Sequence, residues 1–324
     1  MSLPKILQDN LRLPVIGSPL FIISNPDLVI AQCKAGIVGS FPALNARPAE
    51  QLEVWLERIT TELAEYKAAN PDKKVAPFAV NQIVHHTNDR LEHDLERCVK
   101  YKVPIMITSL RAPDEAVAAA RSYGGLVFHD VINVRHAERA LEAGVDGLIL
   151  VCAGAGGHAG TYSPFALVSE IRQFYDGPIV LAGAITKGEH ILAAQAMGAD
   201  LAYIGTRFIA TAEANAPQEY KQTILEASAK DIVYTNLFTG VHGNYLRQSI
   251  VKAGLDPDNL PTADKSKMTF GSGGSSRSKV WRDIWGAGQG VGNIHDILPA
   301  AEVIDRLALE YQQAVERLQA KRFF

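Results

Sequence analysis

Short apolar runs recur along the first two-thirds of the chain, separated by stretches whose apolar positions follow a helical repeat. Residues 13–17 form the first run. A helix opened by Asn25-Pro26 ends at Gly36, and residues 37–41 follow as the second run. Helical spacing from Pro48 to about Lys67 leads to the third, 75–80, with Asn81 at its end. Asn88 starts a helix through Tyr101 ahead of 103–107, and Pro113 opens another that Gly124 closes ahead of 125–128. The rhythm then sharpens. Helices starting at Asn133, Pro164 and Thr186 stop at or just before Gly144, Gly177 and Gly198, each followed almost at once by a run: 146–151, 178–182 and 201–205. Asn, Ser or Thr at a helix start can accept from the orphan backbone N–H groups, and glycine at the end can take the left-handed cap conformation.

Eight buried strands alternating with helices imply a parallel sheet covered on both faces. Eight is also the number that closes a (β/α)8 TIM barrel. An open doubly wound sheet usually has fewer strands and carries a phosphate fingerprint on its first turn, where this chain has none. The expected architecture is therefore an α/β TIM barrel with a helical insertion after strand eight. Residues 1–210 and about 281–324 would build the barrel, and about 211–280 would form a helical cap over its mouth. Within that cap, 256–279 is rich in Gly, Ser, Pro and Lys and reads as a flexible loop. An amphipathic helix from about Pro299 to Ala320 would return to the barrel wall.

Composition adds mostly exclusions. With 324 residues, 47% of them hydrophobic, the chain can bury an ample core, and its net charge of −3 leaves no footprint for nucleic acid or an anionic membrane. No apolar run is long enough to span a bilayer, and Met1-Ser2-Leu3-Pro4 lacks the pattern of a secretory leader. Cys33, Cys98 and Cys152 are odd in number and scattered, which fits a reducing cytoplasm and no metal cluster.

The chemistry concentrates after the sixth strand, in Val151-Cys152-Ala153-Gly154-Ala155-Gly156-Gly157-His158-Ala159-Gly160. Glycines such as Gly156 and Gly157 let backbone N–H groups approach a ligand closely, because no Cβ holds it off. His158 is the functional side chain among them and the candidate catalytic residue. Barrel enzymes act at the carboxyl ends of their strands and commonly bind phosphate after strands seven and eight. Here those ends read Ala182-Gly183-Ala184-Ile185 and Gly205-Thr206-Arg207, so Gly183, Ala184, Gly205 and Thr206 could offer N–H groups and a hydroxyl to a phosphate.

Taken together, the Gly-Gly-His-x-Gly loop at 156–160, Ala182-Gly183-Ala184-Ile185 and Gly205-Thr206-Arg207-Phe208 resemble the nitronate monooxygenase family, formerly called 2-nitropropane dioxygenases. Pro14-Val15-Ile16-Gly17-Ser18-Pro19 resembles that family's first flavin-contacting loop, and Trp285-Gly286-Ala287-Gly288-Gln289-Gly290 its C-terminal return to the site. The resemblance implies an oxidoreductase holding FMN non-covalently and oxidising alkyl or propionate-type nitronates with O2 to a carbonyl compound plus nitrite or nitrate. It implies flavin contacts from Ser18, Asn81 and Gln289, a phosphate held by Gly183, Gly205 and Thr206, and His158 facing substrate over the flavin. Two departures stand out. The family often has Gly-Gly after strand seven, where this chain has Gly183-Ala184. Some members carry a lysine after strand five, where this chain has His129-Asp130, which makes His129 a candidate ring contact.

A histidine near its ordinary pKa can remove the α-proton of a nitroalkane or, as imidazolium, hydrogen-bond the nitro oxygens. A second reading shares the same loop: an FMN-dependent reductase using NAD(P)H, of the enoyl-acyl-carrier-protein or quinone type. A third, a non-catalytic flavin-binding protein, would have no need of His158. The expected partners are a small nitronate or nitroalkane and O2, with no nucleic acid or membrane, and the fold allows a homodimer. His85-His86 lack further ligands for a metal, Cys152 reads as a buried inert thiol, and Tyr234, His242 and Tyr245 could line a substrate entrance.

Overall fold

The computed structural model describes residues 3–263 and 283–321. The flexible-loop reading of 256–279 therefore falls mostly outside the described residues. In chain order the strands are β1 Val15–Gly17, β2 Gly39–Pro42, β3 Phe78–Val84, β4 Ile105–Leu110, β5 Leu126–Val131, β6 Gly147–Val151, the two-residue β7 Gly157–His158, β8 Ile179–Ala182 and β9 Leu201–Ile204. All but β7 form one parallel eight-stranded sheet in the order β1-β9-β8-β6-β5-β4-β3-β2. Its two ends meet. Gly17 N donates to Val38 O at 2.8 Å and Val38 N to Val15 O at 3.1 Å, so β1 pairs with the residue just ahead of β2 and the sheet closes into a (β/α)8 barrel.

Side chains alternate across each strand, and that alternation builds two cores. Ile16, Val38, Ala79, Ile105, Ile107, Phe128, Ile149, Val180 and Leu201 fill the barrel, together with Leu7 and Leu11 from and just after the first helix, Lys5–Asn10. Their neighbours Val80, Met106, Val127, Leu148, Leu150, Leu181 and Ala202 face outward into a larger cluster shared with the helices. Burying one such aliphatic side chain is worth about 1.5–3 kcal/mol, so the packed interior makes a firm base for whatever sits at the strand ends. Two of the expected caps form: Asn25 Oδ1 accepts from Leu28 N at 2.9 Å and Asn133 Oδ1 from His136 N at 2.8 Å, whereas the helices expected to start at Asn88 and Thr186 begin later, at Leu91 and Gly188, without a side-chain cap.

The chain after β9 is not purely helical. A helix, Gln218–Glu226, leads to an antiparallel hairpin of β10 Ile232–Thr235 and β11 Gly243–Leu246, followed by the helix Arg247–Lys252. β-branched and aromatic residues in Ile232-Val233-Tyr234-Thr235 favour this pleated arrangement over the expected helix. The free side of β11 takes up β7, with Gly243 opposite His158 and Asn244 opposite Gly157. At the other end of the chain the helix Ala300–Gln319 packs on Gly188–Ala196 so closely that a Cβ on Gly188 would overlap the backbone at Leu307 and Tyr311. Among the described residues no helix is long and apolar enough to cross a membrane.

Candidate active site

A cavity of about 1080 Å³ opens at the carboxyl ends of the barrel strands. Ser18, Asn81, Gly156, Gly157, His158, Gly183, Ala184, Gly205 and Thr206, from loops far apart in sequence, all line it. Gln289 lies between the lining residues Gly288 and Gly290, and its backbone N–H donates to Gly154 O at 2.9 Å. His129 is the exception. Side chains on β5 alternate, so Phe128 and Asp130 point into the barrel while His129 points out, buried against Thr108 Oγ1 at 2.8 Å beside a separate outer groove. The residue that β5 presents to the cavity is Asp130, and His129 is withdrawn as a ring contact.

Contacts to its backbone hold the His158 loop from two sides. Ala159 N donates to His242 O at 3.2 Å, and Asn244 Nδ2 donates to Ala155 O at 2.6 Å, which ties the loop to the hairpin. On the other side the 286–290 segment presses so close that a Cβ on Gly156 would lie 2.8 Å from Gly288 N. His158 Nε2 lies 2.8 Å from Thr239 Oγ1. That hydroxyl also donates to Val241 O at 3.0 Å and accepts from Val241 N at 3.2 Å. With the hydroxyl hydrogen assigned to the Val241 carbonyl, which can only accept, the imidazole is the donor through Nε2. The neutral ring then carries its basic lone pair on Nδ1. Burial pushes the imidazole down to about 4, so it is uncharged at neutral pH.

Across the mouth, the ends of β8 and β9 form a cradle. Ala184 sits at φ 55°, a left-handed conformation that suits glycine, so the backbone keeps the path of a Gly-Gly loop despite its Cβ. Gly205 starts the short helix Thr206–Ile209, and a Cβ there would lie 2.5 Å from Ser18 Oγ. Thr206 Oγ1 accepts from Gly288 N at 2.9 Å, which leaves its own hydrogen to be donated. The cavity floor is polar. Asn81 Nδ2 donates to Ser109 Oγ at 2.9 Å, and Ser109 Oγ donates to Asp130 Oδ2 at 2.6 Å. Burial pushes the Asp130 carboxyl up to about 7 against the Ser109 hydrogen bond, and Tyr203 is pushed up by its own burial and by Asp130.

Of the aromatic and histidine candidates in the insertion, Tyr234 stacks on His242 at 5.1 Å and donates to Ala159 O, while Tyr245 is buried against Phe238. The lining instead comes from Phe238, Thr239, Val241, Tyr220 and Trp285. Cys152 is buried and its thiol is pushed up to about 12, which makes it inert. The His85 and His86 rings lie 4.2 Å apart at a tilt of 38°, and among the described residues no group of three or more His, Cys, Asp or Glu could hold a metal ion.

Residues 5–310 match the family model for nitronate monooxygenase. The chain belongs to the nitronate monooxygenase family. It is an oxidoreductase, and enzymes of this family use a flavin. The chain is 25% identical to a nitronate monooxygenase of Paraburkholderia phytofirmans, over 94% of each chain. The fold is shared with a nitroalkane oxidase from Streptomyces ansochromogenes, at TM-score 0.79 and 23% identity over 97% of this chain and 100% of the other. It is shared too with FabK from Thermotoga maritima, at TM-score 0.73 and 23% identity over 97% of this chain and 96% of the other.

Proposed function

We propose that this member of the family is an FMN-dependent nitronate monooxygenase, oxidising alkyl or propionate-type nitronates with O2 to a carbonyl compound plus nitrite or nitrate. The observation that carries the reading is the opposition, across one cavity, of a neutral, hydrogen-bonded His158 and a glycine cradle at the strand ends favoured for phosphate. The cavity fits the cofactor. Gly183, Ala184, Gly205 and Thr206 would hold its phosphate, Thr206 through the hydrogen its hydroxyl has to spare. Ser18, Asn81, Gly156, Gly157 and Gln289 would contact the rest. When bound, the flavin supplies the electron acceptor that also reacts with oxygen.

His158 takes the α-proton of a neutral nitroalkane on Nδ1, and the resulting imidazolium is steadied by its Nε2–H on Thr239. A substrate that arrives as the nitronate needs no proton removed, so His158 then serves only to orient it. Ile22, Ile23, Phe238 and Trp285 give the cavity an apolar wall, which excludes water from the reacting carbon. The expected partners are thus small molecules and O2. All three cysteines are free and buried, which supports a cytoplasmic setting.

The test is the stoichiometry of oxygen uptake and nitrite plus nitrate release when a preformed nitronate is added to the purified protein. Oxygen consumption that tracks release of the nitrogen oxyanions is expected. Inertness toward nitronates, together with oxidation of NADH or NADPH when a quinone or enoyl thioester is supplied, would move the chain to the reductase class.

A further inference from the structure

The turn that follows β1 holds a β-branched residue in a backbone conformation that suits glycine. Ile22 sits at φ 68° and lines the cavity. For such a residue the left-handed region is a steric outlier, which persists only where the surroundings over-determine it. Here they do. Ile22 N donates to Asn45 Oδ1 at 2.8 Å, and Asn45 Nδ2 donates to Leu20 O and to Ser24 O, each at 2.9 Å. A backbone N–H can only donate and a carbonyl can only accept, so these contacts fix which way the Asn45 amide points. Asn215 Nδ2 adds a bond to Ile22 O at 3.1 Å. Asn45 is held in turn. Arg90, buried and paired with Asp94 at 2.9 Å, donates to the carbonyls of Ala43 and Ala46, which flank Asn45 in sequence.

The backbone alone gives no reason for an isoleucine at this position. Glycine takes this φ without a steric cost. The hydrogen bonds that pin residue 22 all go to its main chain, so none of them needs a side chain there. What the isoleucine adds is bulk in the cavity. The lining nearby is apolar as well: Leu20, Ile23, Ala216 and Trp285 belong to one apolar cluster and all line the cavity. Phe21, the neighbour of Ile22, carries the Arg47 guanidinium over its ring at 5.4 Å. The groups suited to a reacting anion and a phosphate lie on other elements, His158 with Thr239 and the cradle at the ends of β8 and β9. An apolar lobe in the same cavity as a polar reacting end suits the hydrocarbon tail of a substrate.

We propose that Ile22 is a specificity-determining residue whose side chain closes the tail end of the cavity and limits the length of alkyl chain accepted, with Asn45 as its positioning residue. This rests on the nitronate reading for the identity of the reacting group. The strained backbone aims the side chain into the lobe, and the Asn45 amide keeps it from relaxing out. Replacing isoleucine with glycine removes a sec-butyl group and makes room for about two to four further methylenes, each worth about fourfold in affinity once buried.

The experiment compares chain-length profiles of the flavin-loaded protein by two readouts. One is steady-state oxygen uptake with the preformed nitronates of nitroethane, nitrobutane and nitrohexane. The other is calorimetric binding of propanoate, pentanoate and heptanoate, planar anions that mimic the nitronate without reacting. Wild type is expected to discriminate against the longest member in both. Ile22→Gly should raise the ratio of longest to shortest by about tenfold or more, and Ile22→Ala should move it in the same direction by less. Asn45→Ala leaves the isoleucine in place but frees the turn, so it should also flatten the profile, whereas a merely structural role would lower all members alike. An unchanged ratio in Ile22→Gly overturns the proposal, as does a wild type that accepts the longest chain as readily as the shortest. If wild type turns over no nitronate yet binds the carboxylates with a length limit that Ile22→Gly removes, the nitronate reading fails and the role of Ile22 stands. Neither turnover nor binding of any member overturns both.

Discussion

Replacing Thr239 with valine keeps the side chain's shape but removes the hydroxyl that accepts the His158 Nε2 hydrogen at 2.8 Å. The imidazole is partly buried at the cavity wall, and valine offers no acceptor where the Thr239 hydroxyl stood. Leaving a buried donor unpaired costs about 1–3 kcal/mol, which corresponds to roughly 5- to 150-fold in rate if the reactive orientation bears the whole cost. The loss should fall on the step that needs Nδ1 as a base. We therefore expect kcat/KM for a neutral nitroalkane to drop by about 10- to 100-fold in Thr239→Val, while turnover of the corresponding preformed nitronate changes by less than about threefold. Thr239→Ser keeps the hydroxyl and should restore the wild-type ratio between the two substrates. The assay is steady-state oxygen uptake with each substrate form, with the flavin spectrum confirming equal loading. An equal loss on both substrates would refute the reasoning, because it would make Thr239 a scaffold for the loop and not the partner of a base.

Four further outcomes follow from the same geometry. His158→Ala should retain FMN yet lose most turnover of neutral nitroalkanes, measured by nitrite release; unchanged release would remove His158 from the mechanism. Burial lowers the folded-state imidazole to about 4, so unfolded chains bind more protons between about pH 6.5 and 4, and this site's contribution to stability is lost as pH falls through that window. Thermal melts of wild type should steepen their acid loss there relative to His158→Gln. Asp130 carries the opposite sign: its raised pKa contributes stability at low pH that is lost as pH rises through about 7, so apo Asp130→Asn should gain in Tm over wild type at pH 8 and not at pH 5. Ala184→Gly should stabilise by up to about 1–2 kcal/mol by relieving the left-handed alanine, readable as a rise in denaturation midpoint.

The barrel was legible because its signals are local. Asn25 and Asn133 cap the helices they were expected to cap, glycines at positive φ such as Gly36, Gly144 and Gly198 end helices, and each apolar run lies in or just ahead of a strand. The glycine loops were legible for the same reason, since a residue without Cβ marks a close approach by itself. Which side chain faces inward was harder to read. β5 is buried on both faces, so Leu126-Val127-Phe128-His129-Asp130-Val131 carries no polar alternation from which to choose between His129 and Asp130. Counting two residues on from the barrel-filling Phe128 would have found Asp130, but only once the register was known. Thr239 lies 81 residues from His158 and meets it through a hairpin read as helix, so no pattern within one stretch of chain joined them. Ser109 and Tyr203 had no motif of their own and became visible when the strand ends were brought together.

Central to the proposed chemistry is a flavin that takes electrons from a nitronate and not from a nicotinamide. The direct measurement is the visible spectrum of the purified flavoprotein under anaerobic conditions, followed after mixing with a preformed nitronate in one sample and NADH or NADPH in the other. Rapid loss or change of the oxidised flavin bands with the nitronate, and none with the nicotinamides, is the predicted result. Bleaching by NADH or NADPH with no response to nitronate would contradict that chemistry and place the chain among the reductases.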